Sequence, residues 1–131
     1  MRIPIAGPII QKIGFLPLDR ENPLRAMRTI HQGAKLVSEK GFTMGIYPEG
    51  TRSHDGKLLE FKTGAFVMAK KAKCPMVITK IEGTNAYHGR FPFRRTHAVF
   101  SVLEVLSADQ VKEKKPEELS DYAKKIMEQN L

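Results

Sequence analysis

The sequence predicts an α/β fold, with a mainly parallel central sheet of about four or five strands and helices on its faces. Three observations predict it. Residues 22–41 place apolar side chains at helical spacing between two short strand-like runs. Residues 43–66 pass from a strand-like run through a glycine-containing loop into a helical pattern. Residues 75–81, Pro-Met-Val-Ile-Thr-Lys-Ile, read as a buried strand that ends at Glu82-Gly83-Thr84. Strands alternating with helices point to parallel pairing, because a parallel pair needs a crossover. The 131 residues suit a single domain. A chain of that size buries roughly two thirds of its unfolded surface.

From the N-terminus, Met1 to Phe15 is apolar and broken by Pro4, Gly7 and Pro8. A short helix is expected from Pro8 to Gly14, since proline suits a first helical turn. Its isoleucines have two uses: packing on the core, or dipping into a membrane interface beside Arg2 and Lys12. Phe15 to Leu18 reads as a short strand or extended segment ending at Asp19-Arg20. Asn22-Pro23 then opens a helix, asparagine as N-cap and proline at the first position. Leu24, Met27, Ile30, Ala34 and Val37 draw one apolar stripe along it, expected to be core, and Gly41 ends it.

Thr43 to Tyr47 is the next expected strand. A helix is expected from Lys62 to about Lys73, with Ala65, Phe66, Ala69 and Ala72 inward. Its lysines lie near the C-terminus, where cations suit the helix dipole. Residues 85–95 read as a loop that interleaves arginines with Tyr87, Phe91 and Phe93. No RNA-binding signature accompanies them, so a lipid interface or a capped sheet edge is preferred and no nucleic acid partner is expected. His97 to Leu106 reads as a strand with Val99, Ser101, Leu103 and Val105 on one face. Pro116 to Asn130 reads as a closing helix with Leu119, Tyr122, Ile126 and Met127 inward.

Composition narrows the partners. Lys and Arg total 22 against 14 Asp and Glu, a net charge of +8. That favours an anionic partner over none, although a merely basic surface has the same composition. Cys74 is the single cysteine, which excludes an intrachain disulfide and suits a reducing compartment. No run approaches the roughly 18 apolar residues that span a bilayer, so any membrane contact is expected to be peripheral. No His, Cys or acidic cluster has ligand spacing, so neither a metal nor a cofactor is expected.

The most informative stretch is Tyr47-Pro48-Glu49-Gly50-Thr51-Arg52-Ser53, followed by Phe61-Lys62-Thr63-Gly64-Ala65-Phe66. On composition alone it is an ordinary surface loop between a strand and a helix. Pro48 interrupts the strand and Gly50 and Gly56 let the backbone turn or approach a ligand. A strand, a glycine loop and a helix also form a common cradle for anions. Arg52, Lys57 and Lys62 add positive charge, and arginine binds phosphate bidentately.

The wording of that stretch resembles the glycerophosphate acyltransferase family. Gly14 to Arg20 resembles the family's second block, and Pro75 to Thr84 its fourth. The resemblance implies a glycerol-3-phosphate acyltransferase-like α/β fold and a reaction that carries an acyl group from acyl-CoA or acyl carrier protein to lysophosphatidic acid, giving phosphatidic acid. It implies substrate-binding roles for Arg20, Glu49, Gly50, Thr51, Arg52 and Lys62, with Arg20 and Arg52 on the phosphate. It also implies a peripheral place on the cytoplasmic face of a membrane.

Acyl transfer to a hydroxyl needs a general base near neutral pH. In the family this is a histidine with an aspartate five positions later, which orients it as a carboxylate orients a triad histidine. Here the fifth residue after His31 is Leu36, after His54 Leu59, after His88 Phe93 and after His97 Val102. No catalytic residue is therefore assigned, and the chain is expected to be the later part of the family domain, N-terminally incomplete. His54 beside Asp55 is expected to be an exposed loop residue, because neighbours on an extended segment face opposite ways. Glu49 is expected to hold the loop through backbone or arginine hydrogen bonds. Phosphate binding does not require the missing histidine, so a non-catalytic phosphate- or phospholipid-binding remnant of the same fold stands as the alternative.

Overall fold

A computed structural model describes residues 14–19, 21–51, 53, 57–84 and 97–131. The described chain mixes helix and strand. Helix α1 (Pro23–Lys40) starts where expected, because the Asn22 side chain accepts the Arg25 N–H at 3.1 Å. Asp19 prepares that start by accepting the N–H groups of Glu21 and Asn22, each at 3.1 Å. Gly41 ends the helix at φ +68°, and its N–H returns to the Val37 carbonyl at 3.2 Å. This is the left-handed C-terminal motif that glycine adopts at least cost.

The apolar stripe of α1 is only partly core. Ile30 and Ala34 are buried and Val37 is half-buried, but Leu24 is 75% exposed and Met27 41%. The contact helix explains the split. Helix α2 (Gly64–Ala72) is short and crosses α1 near its middle, leaving the first turn of α1 uncovered. The crossing is close: a Cβ on Gly33 would lie 2.6 Å from Met68 Cε, and one on Gly64 would lie 3.0 Å from Ile30 Cδ1. Helix α2 begins two residues later than the expected Lys62. It buries Phe66, Met68 and Ala72.

The sheet among the described residues has two strands, β1 (Met76–Glu82) and β2 (Val99–Leu106), paired antiparallel from Met76 against Leu106 to Glu82 against Val99. Neither 15–18 nor 43–47 takes part in it. Both runs have strand-like composition, but a strand exists only through a neighbour, and neither pairs with one here. In 43–47, Met44 packs on α1 and α2 while Ile46 and Tyr47 stay exposed. A bulge between Ile78 and Thr79 shifts the register of β2. It breaks the expected alternation: Val99, Phe100, Val102 and Val105 are exposed, and Leu103 packs toward the core that buries Leu106.

Helix α3 (Ala108–Glu113) was not expected from the sequence. Ser107 caps it, its hydroxyl accepting the Gln110 N–H at 3.3 Å while Gln110 accepts the Ser107 N–H at 2.8 Å. Helix α4 (Pro116–Glu128) follows and buries Leu119, Ser120 and Ala123. Two core clusters result. One joins Phe66, Ile78, Leu106, Val111, Leu119 and Ala123; the other joins Ile30, Ala34, Met68 and Ala72. Helix α2 contributes to both, so it is the element on which the fold turns. The helix expected from Pro8 to Gly14, apart from Gly14 itself, and the loop over 85–95 lie outside the described residues. No helix among the described residues is long and apolar enough to cross a membrane.

Candidate functional site

The stretch that precedes α2 is a loop with latched ends. Tyr47–Gly50 forms a turn in which the Gly50 N–H donates to the Tyr47 carbonyl at 3.1 Å. Pro48 suits the second position of such a turn. Gly50 has φ +69°, a conformation that side chains other than glycine's resist. The chain leaves through exposed Thr51 and returns along 57–62. There the Lys62 N–H donates to the Pro48 carbonyl at 2.8 Å. One step inward, the Leu59 N–H donates to Glu49 Oε2 at 2.9 Å, in a half-buried setting.

Glu49 thus spends a carboxylate oxygen on a backbone amide. Hydrogen bonds to a charged acceptor are the stronger kind, so this contact is a good clasp. It matches the loop-holding role expected of Glu49. The returning limb is fixed further on its other side. Phe61 stacks on Phe66, ring centres 6.3 Å apart and planes 21° apart, which ties the limb to the buried face of α2. Glu60 forms an ion pair with Lys124 of α4.

Of the residues expected to bind substrate, Glu49, Gly50, Thr51 and Lys62 gather around these ends. The Lys62 side chain comes close to Gly50, its Cγ 3.9 Å from the place a Cβ would take. Lys62 and Thr51 are exposed. Arg20 and Arg52 lie outside the described residues, as do His54 and Asp55. Asp19, beside Arg20, meets Arg25 at 3.5 Å in an exposed pair, a geometry worth about 1 kcal/mol or less. The Lys124–Glu60 pair escaped sequence reasoning, and no local signal could have found it: the partners stand 64 positions apart.

A latched, glycine-turned loop with the exposed Lys62 at its end thus feeds helix α2. The Acyltransferase family model matches residues 1–82, which include the whole loop. The chain belongs to the acyltransferase family. It is similar to a 1-acyl-sn-glycerol-3-phosphate acyltransferase of Limnanthes douglasii, 30% identical over 125 residues that make up 94% of this chain and 43% of the relative. It is similar also to the 1-acyl-sn-glycerol-3-phosphate acyltransferase of Escherichia coli, 30% identical over 132 residues, 98% of this chain and 53% of that protein. The Saccharomyces cerevisiae protein of the same name is 28% identical over 133 residues, 97% of this chain and 42% of the relative. The chain therefore spans about half the length, or less, of the curated relatives it matches. No solved structure matches it significantly.

Proposed function

We propose that this chain forms the phosphate-receiving part of an acyltransferase that makes phosphatidic acid from 1-acyl-sn-glycerol-3-phosphate, with acyl-CoA or acyl carrier protein as donor. One observation carries the reading: the Tyr47–Ser53 motif sits on a loop whose ends are latched from Glu49 to Leu59 and from Pro48 to Lys62, inside the span that matches the family. The names of the relatives supply the acceptor.

In this reading Arg20 and Arg52 clamp the acceptor phosphate, and Lys62 adds charge at the loop's mouth. Gly50 keeps the turn free of a side chain, and Glu49 and Thr51 shape the rim. The acceptor hydroxyl attacks the thioester carbonyl, a C–O bond forms, the C–S bond breaks and the thiol leaves. The hydroxyl proton goes to a base, and no histidine of this sequence has an aspartate five positions later to serve as the family's pair. The 131 residues act as one domain. The net charge of +8 suits two anionic substrates and a peripheral seat on the cytoplasmic face of a membrane. The missing pair favours a second reading, in which the chain binds phospholipid headgroups without turnover.

The test is transfer of label from acyl-CoA to lysophosphatidic acid in detergent micelles, with binding of lysophosphatidic acid followed in parallel. The chain is assayed alone and together with any upstream coding sequence of its gene, each with and without Arg52→Ala. Turnover that Arg52→Ala abolishes supports the acyltransferase reading. Binding that Arg52→Ala weakens, with no turnover in any form, supports the non-catalytic reading. Neither binding nor turnover sinks both.

A further inference from the structure

Four contacts, among others, hold the returning limb of the loop. Three are local: Leu59 to Glu49, Lys62 to Pro48, and Phe61 on Phe66. The fourth reaches in from the far end of the chain, where Lys124 of α4 pairs with Glu60. The two partners are unequally held. The Lys124 side chain is 24% exposed and Glu60's 82%. Lys124 stands on a helix whose Leu119 and Ala123 share a core with Phe66. It stands on an element seated in that core, while Glu60 projects from the limb into solvent.

Glu60 is also adjacent to the clasped Leu59 amide and two residues from Lys62. An anionic side chain so close to an anion-receiving loop is unfavourable unless neutralised, and Lys124 neutralises it. Helix α4 lies beyond residues 1–82, the span that matches the family. We infer that Lys124 is a positioning residue for the acceptor loop: by holding Glu60 it keeps the Leu59 amide on Glu49 and Lys62 at the loop's mouth. This rests on the proposed role of the loop in binding a phosphate monoester.

The experiment titrates the 131-residue chain with hexanoyl lysophosphatidic acid, which is monomeric in solution, by calorimetry. The variants are Lys124→Glu, Glu60→Lys, the double swap and Lys124→Met, with melting temperatures measured in parallel. Lys80→Glu breaks a pair away from the loop, Lys80 with Glu82 at 2.9 Å on β1, together with the Lys80 bond to the Asn130 carbonyl, and serves as the control. Lys124→Glu and Glu60→Lys are each expected to weaken binding about fivefold, with the swap restoring it to within about twofold. Lys124→Met, which keeps the aliphatic stem, is expected to weaken it about threefold. Lys80→Glu is expected to leave binding unchanged.

The decisive variant is Glu60→Lys. It adds positive charge beside an anion site, so simple electrostatics predicts tighter binding and loop positioning predicts weaker. Tighter binding by Glu60→Lys, unaltered binding by all variants, or a folded swap that restores nothing would each overturn the inference alone. Failure of the unaltered chain to bind would overturn the proposed function, and this inference with it.

Discussion

Tyr122 shows how a side chain records its setting. Its hydroxyl donates to Glu104 of β2, with Lys114 above the ring at 5.9 Å. That hydrogen bond, then burial, then the charge of Glu104 raise the tyrosine pKa above its ordinary 10.0. A raised pKa means that the folded state holds the proton more tightly than the unfolded chain does. The stability this adds is complete below pH 10 and disappears as pH rises through the folded value. Lys124 behaves alike, raised above 10.5 chiefly by its bond to Glu60. The melting temperature should therefore fall in the alkaline range beyond these values, and Tyr122→Phe should flatten part of that fall. A thermal melt at stepped alkaline pH checks this; identical curves for both proteins would refute it. Neither contact was legible in the sequence, where Tyr122 reads only as an inward helix position. Glu49 was legible, because a carboxylate just after a turn proline has backbone amides within reach.

Elements bounded by local chemistry were read well, and those bounded by their partners were not. Asn22, Pro23 and Gly41 punctuate α1 from within, so its ends follow from the sequence. Ser107 and Gln110 carry a local signal of the same kind for α3, a capping box. The larger departures are in the sheet. Residues 43–47 have the composition of a strand, but a ladder is made by two chains and only one is visible locally. The bulge opposite Ile78 and Thr79 is set by register, so the residues of β2 do not announce it, although it breaks their alternation of exposure. The turn at Gly50 is a local feature, and its prediction is correspondingly direct. Gly50→Ala forces a side chain into φ +69°, a cost of about 1–2 kcal/mol. Urea unfolding should show the midpoint lowered with the slope unchanged; an unchanged midpoint would mean that the turn relaxes freely.

The whole molecule is organised around α2. Phe66 faces the cluster shared with the sheet, α3 and α4, while Met68 and Ala72 face α1. The loop runs straight into this helix, so the candidate site is built on an element that contributes to both core clusters. The sequence disclosed the loop and the helix after it, because both lie in one continuous motif. It could not disclose that α4 steadies the loop, because tertiary packing alone brings them together. The strength of that support is testable through Leu119, fully buried at 0% exposure. Leu119→Ala should cost about 2–5 kcal/mol in chemical unfolding, as core truncations do. A cost below about 1 kcal/mol would show that α4 is not seated as described.

The bond between Glu49 and Leu59 has a consequence for how this family member drifts. Position 59 lends the clasp a main-chain proton, which every amino acid except proline carries. Its codon is therefore free to wander among residues of moderate bulk, with proline as the one forbidden destination. Position 49 has no such latitude, because the reach of its oxygen is what closes the ring. Relatives should vary at 59 and hold at 49, and the asymmetry comes from the chemistry of one shared proton.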